Sequence, residues 1–319
     1  MKRKSIALAM CLPIVCGTAC ADATPRAEES ASPSAEIVYE SPYVPAQVTI
    51  AGETVSMDRE DMYERLDREL TSIAYAHGST MLTLKRANKY FPVFAPILEA
   101  NGIPGDFVYL AAIESNLSVR AYSRSKAAGL WQFIAETGKQ YGLEVNDEVD
   151  ERYDPEKATI AACKYLKEGY EKYGNWTTVA ASYNAGMGKI SKELTRQIAD
   201  NSFDLYLTEE TSRYVFRLIA MKLVLENPRK YGFSIKRDQL YQPIGYTTEK
   251  VTGAVPSWAE WAKKRGISYA QLRELNPWIR SASLTNKRGK TYTVKIPVAT
   301  DLYRSKKELK VYNENWVVD

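Results

Sequence analysis

Glu114 follows an unbroken apolar run, Phe107-Val108-Tyr109-Leu110-Ala111-Ala112-Ile113. A carboxyl drawn into apolar surroundings loses solvation of its charged form, so its pKa rises. A glutamic acid that keeps its proton near neutral pH can protonate a leaving oxygen. The alternative is a glutamate that merely ends a helix in solvent. Other chemistries find less support. The chain has one histidine, His77, beside Gly78 near the end of an expected helix and far in sequence from any nucleophile. A Ser-His-Asp or Cys-His machine, or a histidine-based zinc site, would have to be built on it, and a helix-terminal or surface role is expected instead. No G-x-G-x-x-G or P-loop pattern follows a strand, so no nucleotide cofactor is called for. Cys163 sits among Ala161, Ala162 and Leu166 and reads as a small buried residue. Glu144, Asp147, Glu148, Asp150, Glu151 and Asp154 crowd one loop. They could supply the second carboxylate of an ordinary glycosidase, or form a solvated loop with Asp154 as a helix cap.

The elements that would hold Glu114 are helical. Met62, Leu66, Leu70 and Ile73 mark one face of a helix. Asn101-Gly102 closes the helix containing Ile97 and Leu98, and Phe107 to Glu114 makes a buried one. Asp154-Pro155 opens another, with Asp as N-cap and Pro at the first helical position. Asn175 caps a helix from Trp176 to Asn184 that Gly186 ends. Val215, Leu218, Met221 and Leu225 define a last helix, stopped by Asn227-Pro228. Near residue 236 the character changes. Short helices at Trp258–Lys264 and Tyr269–Leu275 precede an alternating strand in which Tyr292, Val294 and Ile296 form the apolar face. The fold class expected is mainly α, a helical domain followed by a small α+β unit.

With 319 residues, 45% hydrophobic and 26% charged, the chain has the composition of a soluble globular protein. Its net charge of +4 provides no footprint for nucleic acid. Lys2-Arg3-Lys4, the apolar Ile6 to Val15 and Ala19-Cys20-Ala21 read as an export signal over residues 1–21. Cys11, Cys16 and Cys20 fall within it, leaving only Cys163 in the mature body and no internal disulfide. Cys20 also offers a lipidation site and hence outer-membrane anchoring, although Gly17 stands where a lipobox usually has Leu. Residues 22–56 read as a disordered tether, with structure expected to start near Met57.

The blocks around Glu114 carry a resemblance. Ile113-Glu114-Ser115, Ser123, Gly129-Leu130-Trp131-Gln132-Phe133, Ala181-Ser182-Tyr183-Asn184-Ala185-Gly186, Glu210-Thr211 and Tyr214-Val215 occur in order. In these blocks the chain resembles the lytic transglycosylases of the goose-type lysozyme superfamily, over about 58–231. The resemblance implies a lysozyme-like catalytic domain at 57–235 acting on peptidoglycan glycan strands. It implies that Glu114 is the acid and then the base, and that the MurNAc 6-hydroxyl displaces GlcNAc to give a 1,6-anhydro end. Ser123, Gln132, Tyr183, Asn184 and Tyr214 would bind and orient the sugar. Residues 236–319 resemble a LysM glycan-binding module with a tail, though the usual Gly-Asp-Thr loop is absent. The rival readings are a muramidase using an acid of the 144–154 loop, and an inactive glycan-binding scaffold.

Overall fold

The computed structural model describes residues 40–318, so the export segment, Cys20 and most of the expected tether lie outside the described residues. The described chain begins with a hairpin, β1 (Gln47–Ile50) and β2 (Glu53–Ser56). Ala51 and Gly52 turn it with φ of 51° and 81°, the double positive φ that a two-residue hairpin turn requires. Val48, Ile50 and Val55 are buried. The tether expected over 22–56 is therefore corrected at its end: structure begins about ten residues before Met57. Alternating apolar residues astride Ala51-Gly52 held the signal. The hairpin has a job in the domain. Asp106 accepts a hydrogen bond from Ala51 N at 2.6 Å, and Glu53 accepts from the first two amides of a later helix, Trp176 and Thr177. A carboxylate is well placed at such a helix start.

The helical body contains α1 (Glu60–Tyr75), α2 (His77–Ala100), α3 (Val108–Ser115), α4 (Ala135–Gln140), α5 (Pro155–Tyr173), α6 (Trp176–Ala185), α7 (Met187–Gln197) and α8 (Glu209–Glu226). Met62, Leu66, Leu70 and Ile73 of α1 are all buried, as are Val215, Leu218, Met221 and Leu225 of α8. Asp154 and Asn175 cap α5 and α6 through their side chains. His77 opens α2, its ring 6.0 Å from those of Tyr75 and Phe233. Helices α1 and α8 are joined across the core by Glu69, which is 1% exposed and bound by Arg213 at 2.5 Å. A buried carboxylate persists only when paired in this way.

The C-terminal unit pairs β3 (Tyr246–Val251) antiparallel with β4 (Tyr292–Pro297), with α9 (Trp258–Lys263) and α10 (Tyr269–Leu275) between them. Ser268 and Gln271 form a capping box on α10. Trp258, Leu272, Trp278, Tyr292 and Val294 make a small core of its own. Val149 of the 144–154 loop joins that core and pairs with Ile279.

After β4 the chain returns to the helical body. Val317 pairs with Ile235, and Trp316 is 1% exposed with its indole N–H on Leu225 O at 2.5 Å. The segment expected as a C-terminal tail is thus part of the helical core. Trp316→Ala is expected to cost about 3–5 kcal/mol, the range for deleting a buried aromatic. Urea unfolding that gave less than about 1 kcal/mol would show the tail to be a loose appendage.

Candidate active site

Helix α3 is built from Val108, Tyr109, Leu110, Ala111 and Ala112, all buried, so Glu114 in its last turn is delivered from inside the protein. Asn116 ends the helix in the left-handed region at φ 48°. Ser115 fastens this end to the next segment, its hydroxyl bonding Ala111 O at 3.0 Å and Leu130 O at 2.9 Å. The segment 121–133 is a tight double turn, with Ala128 bridging to both Tyr122 and Phe133. Ser123 Oγ accepts from Ala127 N at 3.0 Å, which leaves its own proton to donate. Gln132 sits at φ 50° and its Nε2 donates to Gly129 O at 2.7 Å, leaving Oε1 as the end available to a ligand.

Helix α6 supplies the facing wall. The Tyr183 hydroxyl donates to Trp131 O at 2.8 Å. Asn184 Oδ1 accepts from Thr211 of α8 at 3.0 Å, so its amide N–H groups remain to donate. Tyr214 of α8 donates a short hydrogen bond to Glu114 Oε1. The structure thus brings Glu114, Ser123, Gln132, Tyr183, Asn184 and Tyr214 into the lining of one open cavity of about 560 Å³. Ile134 lines it too and is 42% exposed. Trp131 does not: it is fully buried and donates to Thr159 Oγ1 at 2.8 Å, a core residue.

Burial pushes the Glu114 carboxyl up to about 7, against the hydrogen bond from Tyr214 and the charge of Arg217, which both favour the ionised form. The acid is therefore protonated in a good share of molecules near neutrality. Burial, with Glu114 close by, holds the Tyr183 and Tyr214 hydroxyls well above the usual phenol range, so both stay donors. Losing the Tyr214 hydroxyl removes a bond that stabilises the carboxylate. Tyr214→Phe is expected to move the alkaline limb of kcat/KM upward, by up to about one pH unit. An unmoved limb would show that this hydroxyl does not act on the acid.

Two charged lining residues of α8 were given no role from sequence: Glu210, seen there only as part of an ordered block, and Arg217. They lie four before and three after Tyr214, on one helical face. Arg217 Nε is 3.5 Å from Glu69. None of the acids of the 144–154 loop lines the cavity. Asp150 is buried on Arg152 at 2.7 Å, Glu151 pairs with Lys157, Asp154 caps α5, and Glu144 binds Lys290 and Tyr292. The second carboxylate there is Glu210 instead. The expectation of a solvated loop is also corrected, because Val149, Asp150 and Glu151 are buried against their partners.

Comparison with known proteins matches residues 93–204 to the family described as Transglycosylase SLT domain. The chain carries an SLT domain. The family read from the sequence is thus the family that matches, and a second match covers 247–300, a soluble lytic transglycosylase C-terminal LysM-like domain. The chain is 28% identical over 233 residues to membrane-bound lytic murein transglycosylase D of Escherichia coli K12, covering 71% of this chain and 50% of the relative. It therefore spans half the length of that curated relative. It is 31% identical over 133 residues to the peptidoglycan transglycosylase gp16 of Escherichia phage T7, covering 41% of this chain and 10% of that one. Among solved structures, the 70 kDa soluble lytic transglycosylase of E. coli aligns with a TM-score of 0.39 and 23% identity, over 43% of this chain and 24% of its own. The SLT match ends at residue 204, before Glu210, Tyr214 and Arg217 on α8.

Proposed function

We propose that the protein is a peptidoglycan lytic transglycosylase. It cleaves the β-1,4 bond between MurNAc and GlcNAc without water. Glu114 gives its proton to the bridging oxygen as the bond to the MurNAc anomeric carbon breaks, and GlcNAc leaves with a new hydroxyl. The MurNAc 6-hydroxyl then bonds to that carbon, and its proton goes to Glu114. Atoms balance and the acid is restored. An internal hydroxyl is held at a high effective concentration, so no second acid is needed to activate water. In most glycosidases a second carboxylate is indispensable.

One observation carries the reading: a carboxyl at the end of a buried helix, raised to about 7, faces an open cavity whose lining includes the neutral hydrogen-bonding groups of Ser123, Gln132 and Asn184. Ser123, Gln132 and Asn184 offer hydrogen bonds to acetamido and hydroxyl groups, and Tyr214 steadies the acid. The LysM-like unit at 247–300 is proposed to hold the same glycan. The domain limits follow: a catalytic body at 57–235, extended by the hairpin and the returning tail, and a glycan-binding unit between them. Location in the periplasm, with or without a lipid on Cys20, accords with the export-type N-terminus. Among the described residues no helix is long and apolar enough to cross a membrane.

Digestion of purified sacculi followed by mass analysis of the products tests the reading. Ends one water lighter than hydrolysed ends are expected. Hydrolysed ends would favour a muramidase, with Glu210 as the acid to examine. An intact sacculus would favour a binding protein.

A further inference from the structure

A second cavity, of about 750 Å³, lies where the 144–154 loop meets the C-terminal unit. Its lining adjoins that of the Glu114 cavity along the chain: Tyr122 lines one and the next residue, Ser123, lines the other. Its lining is rich in cations, and two of them are uncommitted. Lys139 and Arg280 are exposed and neither is in a salt bridge among the described residues. The other two are occupied, Arg152 by Asp150 at 2.7 Å and Arg120 by Glu274 at 3.0 Å. Asp147 is the one acid of the lining without such a partner, so two free cations face one free anion.

Arg280 is held in place. Its backbone N–H donates to Glu148 O at 2.8 Å and its guanidinium lies over the Tyr153 ring, 4.4 Å from the centroid. A guanidinium stacked on a ring keeps its in-plane N–H groups for a ligand, in the fork that suits a carboxylate. Tyr122, 59% exposed, adds an amphipathic face to the same cavity.

We propose that this cavity binds carboxylate groups of the stem peptides borne by the glycan strand in the Glu114 cavity. The proposal rests on the transglycosylase reading and deepens it. A strand in the first cavity carries its stems outward from MurNAc, and the second cavity offers the adjoining cationic surface. Stems with more free carboxylates than amines suit two cations and one anion. The two domains would read two parts of one substrate, since Lys139 belongs to the SLT domain and Arg280 to the LysM-like one.

The test uses the double variant Lys139→Gln, Arg280→Gln, and strands with intact stems beside the same strands stripped of them by an amidase. Affinity is measured in a Glu114→Gln background and kcat/KM with Glu114 present. A loss of about tenfold is expected on stem-bearing strands, with less than about twofold on stripped strands, which also reports that the variant is folded. Equal losses on both, or no loss on stem-bearing strands, would overturn the proposal. If the enzyme with Glu114 releases ends carrying added water, the transglycosylase reading fails, while the affinity ratio still decides the cavity.

Discussion

Glu114→Gln is expected to abolish cleavage of sacculi, with kcat reduced by at least about 10³-fold, because in the proposed mechanism one side chain performs both proton transfers. Binding should persist, since glutamine keeps the shape and the Tyr214 contact. The same substitution should stabilise the fold at alkaline pH. The Glu114 carboxyl rises from 4.5 unfolded to about 7 folded, so the folded state binds the proton more tightly. Stability then falls as pH climbs from the lower value to the higher, and stays reduced above it. The loss is on the order of 3 kcal/mol at pH 8 from the size of that shift. Glutamine carries no such charge and escapes it. The variant should therefore be inactive and yet unfold at higher urea than the wild type at pH 8, with the gap closing at pH 4. Full cleavage by the variant would defeat the assignment of the acid. A gap that did not change with pH would mean that the carboxylate is not desolvated.

Gly129→Ala is expected to be the most damaging single-methyl change. At Gly129 φ is +78°, and an added Cβ would lie 1.9 Å from the Arg152 carbonyl oxygen and 2.8 Å from its carbon. Both are backbone atoms, so no rotamer change relieves the clash. Arg152 cannot retreat, because its buried guanidinium binds Asp150 and the carbonyls of Lys126 and Phe133. Gly102→Ala isolates the backbone cost alone: φ there is +70° and the added methyl meets open space. That control should lose about 1 kcal/mol, and Gly129→Ala more than about 3 kcal/mol, with strain and overpacking combined. In thermal unfolding the difference amounts to several degrees. The 121–133 segment would shift as well, displacing Ser123 and Gln132, so activity per folded molecule should also fall. Equal melting temperatures for the two variants would show that the segment yields at no cost.

Much of the site was legible because local signals and tertiary demands coincide there. The apolar run before Glu114 announced a buried helix, and the caps Asp154 and Asn175 announced the helices that face it. The ordered blocks then pointed to the rest. What stayed hidden depends on partners far along the chain. Glu144 of the 144–154 loop looks solvated in sequence because its cation, Lys290, is 146 residues away, while Asp150 and Glu151 find theirs close by, in Arg152 and Lys157, only once the loop is folded. Arg217 looks like an ordinary surface arginine until Glu69 of α1 is placed beside it. The tail around Trp316 shows no periodicity in its charged surroundings, and its burial is decided by distant partners, Phe91 of α2, Leu225 of α8 and Ile235. The hairpin was a different kind of miss: its alternation was present but too short to stand out beside a polar, proline-containing leader.

The return of the chain after β4 makes the LysM-like unit a loop-out rather than a trailing domain. Both its entry at Ile235 and its exit at Val317 are moored to each other on the helical body. A module leashed at two ends has a short radius of excursion, and its docking through Val149 and Ile279 shortens that further. On the transglycosylase reading, such a module would gauge a fixed length of glycan from the cutting point rather than search the wall for new strands.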